Sequence, residues 1–177
     1  MRRPGRIILI GFMGSGKTTV GRALAARLGW ELVDTDELVE ARAGAPVARI
    51  FQDRGERAFR EMEAEALASL LERTRVVIAT GGGAPAQLQN QNFFSGAVAI
   101  FHLRVSLQTV RERTRGNTGR PLLGLSEREL FALHKSRQPV YDGLGTAVET
   151  DGRKPEDVAE DILLLLGTQE SQSRHGD

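Results

Sequence analysis

The sequence predicts an α/β fold, with a parallel sheet covered by helices on both faces. Five short apolar runs, at 7–10, 31–34, 75–79, 97–103 and 146–150, read as buried strands. Stretches of helical spacing alternate with them, at 17–28, 36–43, 46–53, 56–72, 106–114, 126–142 and 155–166. Glycine-rich or acidic residues follow each of the first three runs, and open sheets of this kind bind ligands just beyond the carboxyl ends of their strands.

The first run, Arg6 to Ile10, leads into Gly11-Phe12-Met13-Gly14-Ser15-Gly16-Lys17-Thr18. A Gly, four free residues and then Gly-Lys-Ser/Thr is the pattern of a phosphate-binding loop. Glycines let the backbone curl so that successive N–H groups face phosphate oxygens, and a helix N-terminus adds partial positive charge. Val20, Leu24 and Leu28 supply the apolar stripe of that helix. A glycine-rich turn capping a helix is the plainer alternative. The preceding strand and following helix favour the phosphate loop, with Lys17 reaching the outer phosphates and the Thr18 hydroxyl facing Mg²⁺.

The second run ends in Asp34-Thr35-Asp36. Residues i and i+2 leave a strand end on the same side. An acidic strand end beside a phosphate loop suits Mg²⁺ held through water, which points to Asp34. Asp36 then faces a substrate hydroxyl, unless it serves only to cap the next helix. In the following helix Arg60 and Glu63 share a face, yet spacing alone does not raise Arg60 above Arg42, Arg54, Arg57 or Arg73. The third run opens onto Gly81-Gly82-Gly83, more glycine than a turn requires, which suggests close approach of a ligand to backbone.

Asn90 to Gly96 reads as a turn. Residues from about 113 to 125, rich in Gly with Pro and Arg, read as a lid, and Arg113, Arg120 and Arg137 lie in or after it. His102, His134 and His175 show no ligand spacing. Trp30 and Tyr141 read as packing residues. Residues 1–167 are expected to form one domain and 168–177 a disordered tail.

Composition excludes several classes. The chain has 177 residues, 40% hydrophobic and 27% charged, as an ordinary globular domain does. A net charge of +1 gives no general pull toward nucleic acid or membrane. With no cysteine there is neither a disulfide nor a thiolate metal site. No apolar run is long enough to span a bilayer, and the basic start leads straight into the loop rather than into a targeting segment. All but three of the 24 basic residues are Arg, so an isolated Arg carries little weight.

Taken in order, GFMGSGKTT, DTD, FRxxE, TGGG, RPLL and RxPxY resemble the shikimate kinase family from about residue 6 to 166. The resemblance implies the three-layer nucleoside-monophosphate-kinase-like fold with a five-stranded parallel sheet and a lid. It implies transfer of the γ-phosphoryl of ATP to the 3-hydroxyl of shikimate, in aromatic amino-acid biosynthesis. Gly14, Ser15, Gly16, Lys17, Thr18 and Thr19 match the phosphate cradle, and Asp34 matches the residue holding Mg²⁺ through water. Asp36, Arg60, Glu63, Gly81, Gly82, Gly83 and Arg137 match the shikimate pocket. Arg120 matches the lid arginine, Arg113 an arginine beside the adenine, and Arg153 the adenine loop.

Two arginine forks suit one carboxylate. A loose phosphoryl transition state asks Asp36 for orientation before basicity. Partners are then the small-molecule substrate shikimate alone, with no nucleic acid or membrane, and the expected state is a cytoplasmic monomer. A gluconate-type kinase and a non-catalytic sensor are the alternatives. The segment NQNFFSG and the lid composition depart from the family pattern without touching a matched residue.

Overall fold

The computed structural model describes residues 5–95, 99–115 and 124–172, with side-chain surroundings as far as Gly167. Five strands, β1 (Arg6–Ile10), β2 (Glu31–Asp34), β3 (Val76–Ala79), β4 (Ile100–Arg104) and β5 (Thr146–Glu149), pair in parallel in the order β2-β3-β1-β4-β5. Leu9 and Asp34 both stand opposite Ala79. The carboxyl ends of β1, β2 and β3 are therefore level, and the three loops singled out in the sequence leave the same edge of the sheet.

Side-chain alternation divides the core. Ile7, Leu9, Val77 and Phe101 face Val20 and Leu24 of helix α1 (Lys17–Leu28) and Val158 and Ile162 of α7 (Pro155–Gln172). Ile8, Ile10, Val76 and Ile78 point the other way. They meet Leu67 of α3 (Val47–Ala68), Phe93 of α4 (Gln91–Ser95), Val110 of α5 (Leu107–Thr114) and Tyr141 of α6 (Glu127–Leu144). A strand buried on both faces has no polar side to show, which is why β1 and β3 read as unbroken apolar runs. A third cluster, built from Val39 of α2 (Thr35–Ala43) with Ile50, Phe59 and Ala66 of α3, joins these two helices away from the sheet.

The helices expected at 46–53 and 56–72 follow one another in α3, separated at Gly55, whose φ of 80° and ψ of 169° are not helical. Elsewhere the structure departs from the expected elements. The second of these helices ends at Ala68, short of residue 72. The turn expected from Asn90 to Gly96 is helical over Gln91–Ser95, because Phe93 and Phe94 both bury, their rings 5.2 Å apart and edge to face. Helix α7 continues to Gln172, five residues into the stretch expected as a disordered tail, since only Gly167 interrupts its helix-compatible sequence. Of the expected lid, Arg113 and Thr114 close helix α5, whereas 116–123, with Arg120, lie outside the described residues, as do His175 and 173–177.

Candidate functional site

Two helix N-termini frame the site and are finished differently. Helix α1 begins after Gly16, which has φ of 90° and no side chain to offer the first N–H groups, and its first turn holds no acidic residue. Gly14, with φ of 73°, gives the loop a second left-handed residue. Such a terminus has its dipole and donors turned toward an outside anion. Helix α2 is capped by the protein itself. Asp34 Oδ1 accepts the Asp36 N–H at 2.9 Å and the Glu37 N–H at 3.4 Å. The cap of α2 is therefore Asp34 and not Asp36, and Asp36 is relieved of that duty.

Lys17 folds over its own loop, donating from Nζ to the Gly11 carbonyl at 2.8 Å and the Phe12 carbonyl at 3.0 Å, with Ser15 Oγ 3.4 Å away. Ser15 is fully buried beneath it. The Thr18 hydroxyl donates to Asp34 Oδ2 at 2.6 Å. Thr19 Oγ1 donates to the Gly16 carbonyl at 2.9 Å. From α5, Arg113 donates to the Gly14 carbonyl at 3.0 Å and the Thr150 carbonyl at 2.7 Å, tying the loop to the segment after β5. Arg153 pairs with Asp161 and donates to the Asp157 carbonyl at 3.3 Å, both on α7.

The opposite wall is organised by Gly81, Gly82 and Gly83. A Cβ on Gly81 would lie 2.6 Å from Glu63 Oε1 and 2.7 Å from Asp36 Oδ1. One on Gly82 would lie 3.5 Å from Arg137 Nη1 and 3.3 Å from the Gly11 carbonyl oxygen. One on Gly83 would lie 2.7 Å from both terminal nitrogens of Arg60. Each glycine thus admits a different charged group to the backbone, and Gly82 also touches the phosphate loop. The three-glycine run is a crossroads of α2, α3, α6 and the loop after β1.

Arg60 Nη1 donates to Glu63 Oε2 at 2.9 Å, and Arg60 Nη2 to Glu56 at 3.1 Å. Glu63 is only 1% exposed, and among the described residues its other carboxylate oxygen finds no hydrogen-bond donor. Burial pushes its carboxyl above the ordinary value, while Arg60 pulls it back down. Arg137 is buried on α6 with its guanidinium 5.7 Å from the centre of the Phe12 ring. Two hydroxyls steady the glycines: Thr35 Oγ1 accepts the Gly81 N–H at 2.9 Å, and the Tyr141 hydroxyl donates to the Gly82 carbonyl at 2.6 Å.

The structure brings together Gly14 to Thr19, Asp34, Asp36, Arg60, Glu63, Gly81 to Gly83 and Arg137, and joins Arg113 to the loop. Thr35 and Tyr141 were not singled out as site residues. Nothing local marks Thr35, which stands between two acidic residues. Tyr141 could have been found, since it follows Arg137 by one helical turn on α6. His102 is a core histidine, with Nδ1 2.9 Å from Asp142 Oδ1 and its pKa lowered by burial. His134 sits with Nε2 3.0 Å from the Val105 carbonyl.

A loop shaped for phosphates meets, at Gly82, a wall whose guanidinium groups suit a second anion. Fold and site together define a phosphate-loop kinase that acts on a small molecule. The family model for shikimate kinase matches residues 13–166. A shikimate kinase of Moorella thermoacetica is 45% identical over 164 residues, covering 92% of this chain and 95% of that protein. One from Salinispora tropica is 44% identical over 161 residues, covering 90% and 96%. The solved shikimate kinase from Acinetobacter baumannii in complex with shikimate matches with a TM-score of 0.90 at 37% identity, covering 94% of each chain. The chain belongs to the shikimate kinase family. A gluconokinase from Sinorhizobium meliloti, at 20% identity and a TM-score of 0.58, shares the fold alone.

Proposed function

We propose that the protein transfers the γ-phosphoryl group of ATP to the 3-hydroxyl of shikimate, giving shikimate 3-phosphate for chorismate and aromatic amino-acid biosynthesis. The observation that supports it most is the three-glycine run, where carboxylates and two guanidinium groups converge beside the phosphate loop. Shikimate offers one carboxylate and three hydroxyls, a complement to that set. Arg60 and Arg137 grip the carboxylate, with Glu63 holding Arg60 in place through their 2.9 Å pair. Asp36 aligns the accepting hydroxyl and takes its proton as the new P–O bond forms and the bond from the γ-phosphorus to the departing ADP breaks. Because the transition state is loose, alignment is its larger contribution.

On the donor side, Gly14 to Thr19 cradle the phosphates. Lys17 exchanges the Gly11 and Phe12 carbonyls for phosphate oxygens, and Arg120 offsets their charge. Arg113 and Arg153 flank the nucleotide. The donor set fits Mg²⁺: the Thr18 hydroxyl and Asp34 carboxylate, 2.6 Å apart, lie at the mouth of the loop. Magnesium in kinases takes most of its ligands from phosphates and water. It does not need a cluster of three acidic or histidine ligands, and among the described residues there is none. The ion, when bound, draws charge from the transferring phosphoryl group. The expected setting is a cytoplasmic monomer whose partner is shikimate.

The deciding experiment is a coupled assay for ADP with shikimate, gluconate and a nucleoside monophosphate as acceptors. Mg²⁺-dependent ADP release with shikimate alone is expected. Much faster turnover of either other acceptor overturns the assignment.

A further inference from the structure

Three glycines in succession have more backbone freedom than any other tripeptide, yet Gly81 to Gly83 must keep fixed distances to four charged groups. The first peptide is held from α2, where Thr35 receives the Gly81 N–H, and the Gly81 carbonyl accepts the Ala84 N–H at 3.1 Å. The Gly82–Gly83 peptide is held from α6, by the Tyr141 hydroxyl on the Gly82 carbonyl at 2.6 Å. That peptide is also the spacer between the two guanidinium groups, Arg137 lying against Gly82 and Arg60 against Gly83.

Tyr141 follows Arg137 by one turn of the same helix, so the fork and the hydroxyl that gauges its distance from the glycines move as one body. The phenol has little room to turn: it is 0% exposed, with its ring 5.0 Å from that of His102. Burial pushes its pKa up to about 12, against a smaller downward pull from Arg137, so it stays an O–H donor at any working pH.

We infer that Tyr141 is a positioning residue of the acceptor site, its hydroxyl fixing the Gly82–Gly83 peptide at the spacing that lets Arg60 and Arg137 share one carboxylate. This deepens the proposed function and rests on it. The residue acts through glycine and arginine and touches no reacting atom.

Tyr141→Phe keeps the ring and removes the hydroxyl, leaving a buried carbonyl without its donor. The KM for shikimate should rise about five- to tenfold, with the KM for ATP changed less than about twofold. An unchanged shikimate KM, or an equal rise in both constants, overturns the inference. Tyr141 is the only tyrosine in the chain, so 3-fluorotyrosine labels this site alone. In the labelled, otherwise unaltered protein, shikimate should shift the single fluorine resonance. A resonance indifferent to shikimate overturns the inference even if the Phe variant does not fold. Turnover of shikimate by the unmodified protein separates the two readings: without it the acceptor assignment itself fails, whereas with it an unaffected Phe variant removes only the role of Tyr141.

Discussion

The two walls of the site are built by opposite means. The phosphate wall is one continuous stretch, Gly11 to Thr19, and most of its chemistry is backbone and helix terminus. The acceptor wall is gathered from α2, α3, α6 and the loop after β3, and its chemistry is in side chains. The first can form wherever a strand, a loop and a helix follow one another. The second exists only when the sheet has brought four distant segments to one edge. A local site tolerates movement elsewhere, whereas a gathered site depends on each of its supports.

Lys17→Ala strikes the phosphate wall and should have the largest effect, lowering kcat by about 10²–10³-fold or more with little change in melting temperature. Steady-state rates with saturating shikimate check it, and near-normal turnover would remove Lys17 from the chemistry. Arg60→Ala strikes the acceptor wall. The KM for shikimate should rise by about 10²-fold, the KM for ATP should stay, and stability should fall because Glu63 keeps a buried charge without its partner. Equal loss of affinity for both ligands would show that the walls are not separable in this way.

Gly81→Ala tests how finely the gathered wall is set. The added methyl would press on the ends of two side chains, Glu63 and Asp36, and not on backbone. The fold should survive while the carboxylates are displaced, raising the shikimate KM about tenfold. Isothermal titration with shikimate and with an ATP analogue would compare the walls, and unaltered shikimate affinity would place the glycine outside the pocket.

The smallest effect concerns pH. Glu63 has its carboxyl raised above the ordinary 4.5 by burial. The folded state therefore binds that proton more readily than the unfolded state does, and ionisation of Glu63 costs stability as pH climbs from 4.5 through the raised value. Glu63→Gln cannot ionise, so its stability relative to the parent should improve across that window and level off above it. Urea unfolding at several pH values measures the difference, and a difference that is flat or opposite in sign would mean the buried carboxylate is already well compensated.

Two residues of one helix show what could be read in advance. Arg57 and Arg60 each have an acidic partner four residues away or nearer, and no spacing rule separates them. In the structure the Arg57 side chain is 92% exposed and pairs with Glu61, whereas that of Arg60 is 15% exposed and lies against Gly83. Only the packing of α2 on α3 and of α3 against the glycine run decides which arginine faces the site. The resemblance of FRxxE to a family pattern picked Arg60 where spacing could not. For Asp34 and Asp36 the pattern gave the location, and the structure divided the labour, giving the helix cap to Asp34.

What the sequence determined by itself is whatever follows from neighbours along the chain: the alternation that makes a parallel sheet, the loop from Gly11 to Thr18, and the acidic and glycine-rich strand ends. These depend on periodicity, on backbone freedom and on the polarity of a helix end. The tertiary structure decided that Gly82 touches both walls, that Tyr141 and Thr35 hold the glycines, and that Phe93 and Phe94 turn an expected loop into helix. Each of those is a contact between residues far apart in the chain, fixed by close packing once the sheet has formed.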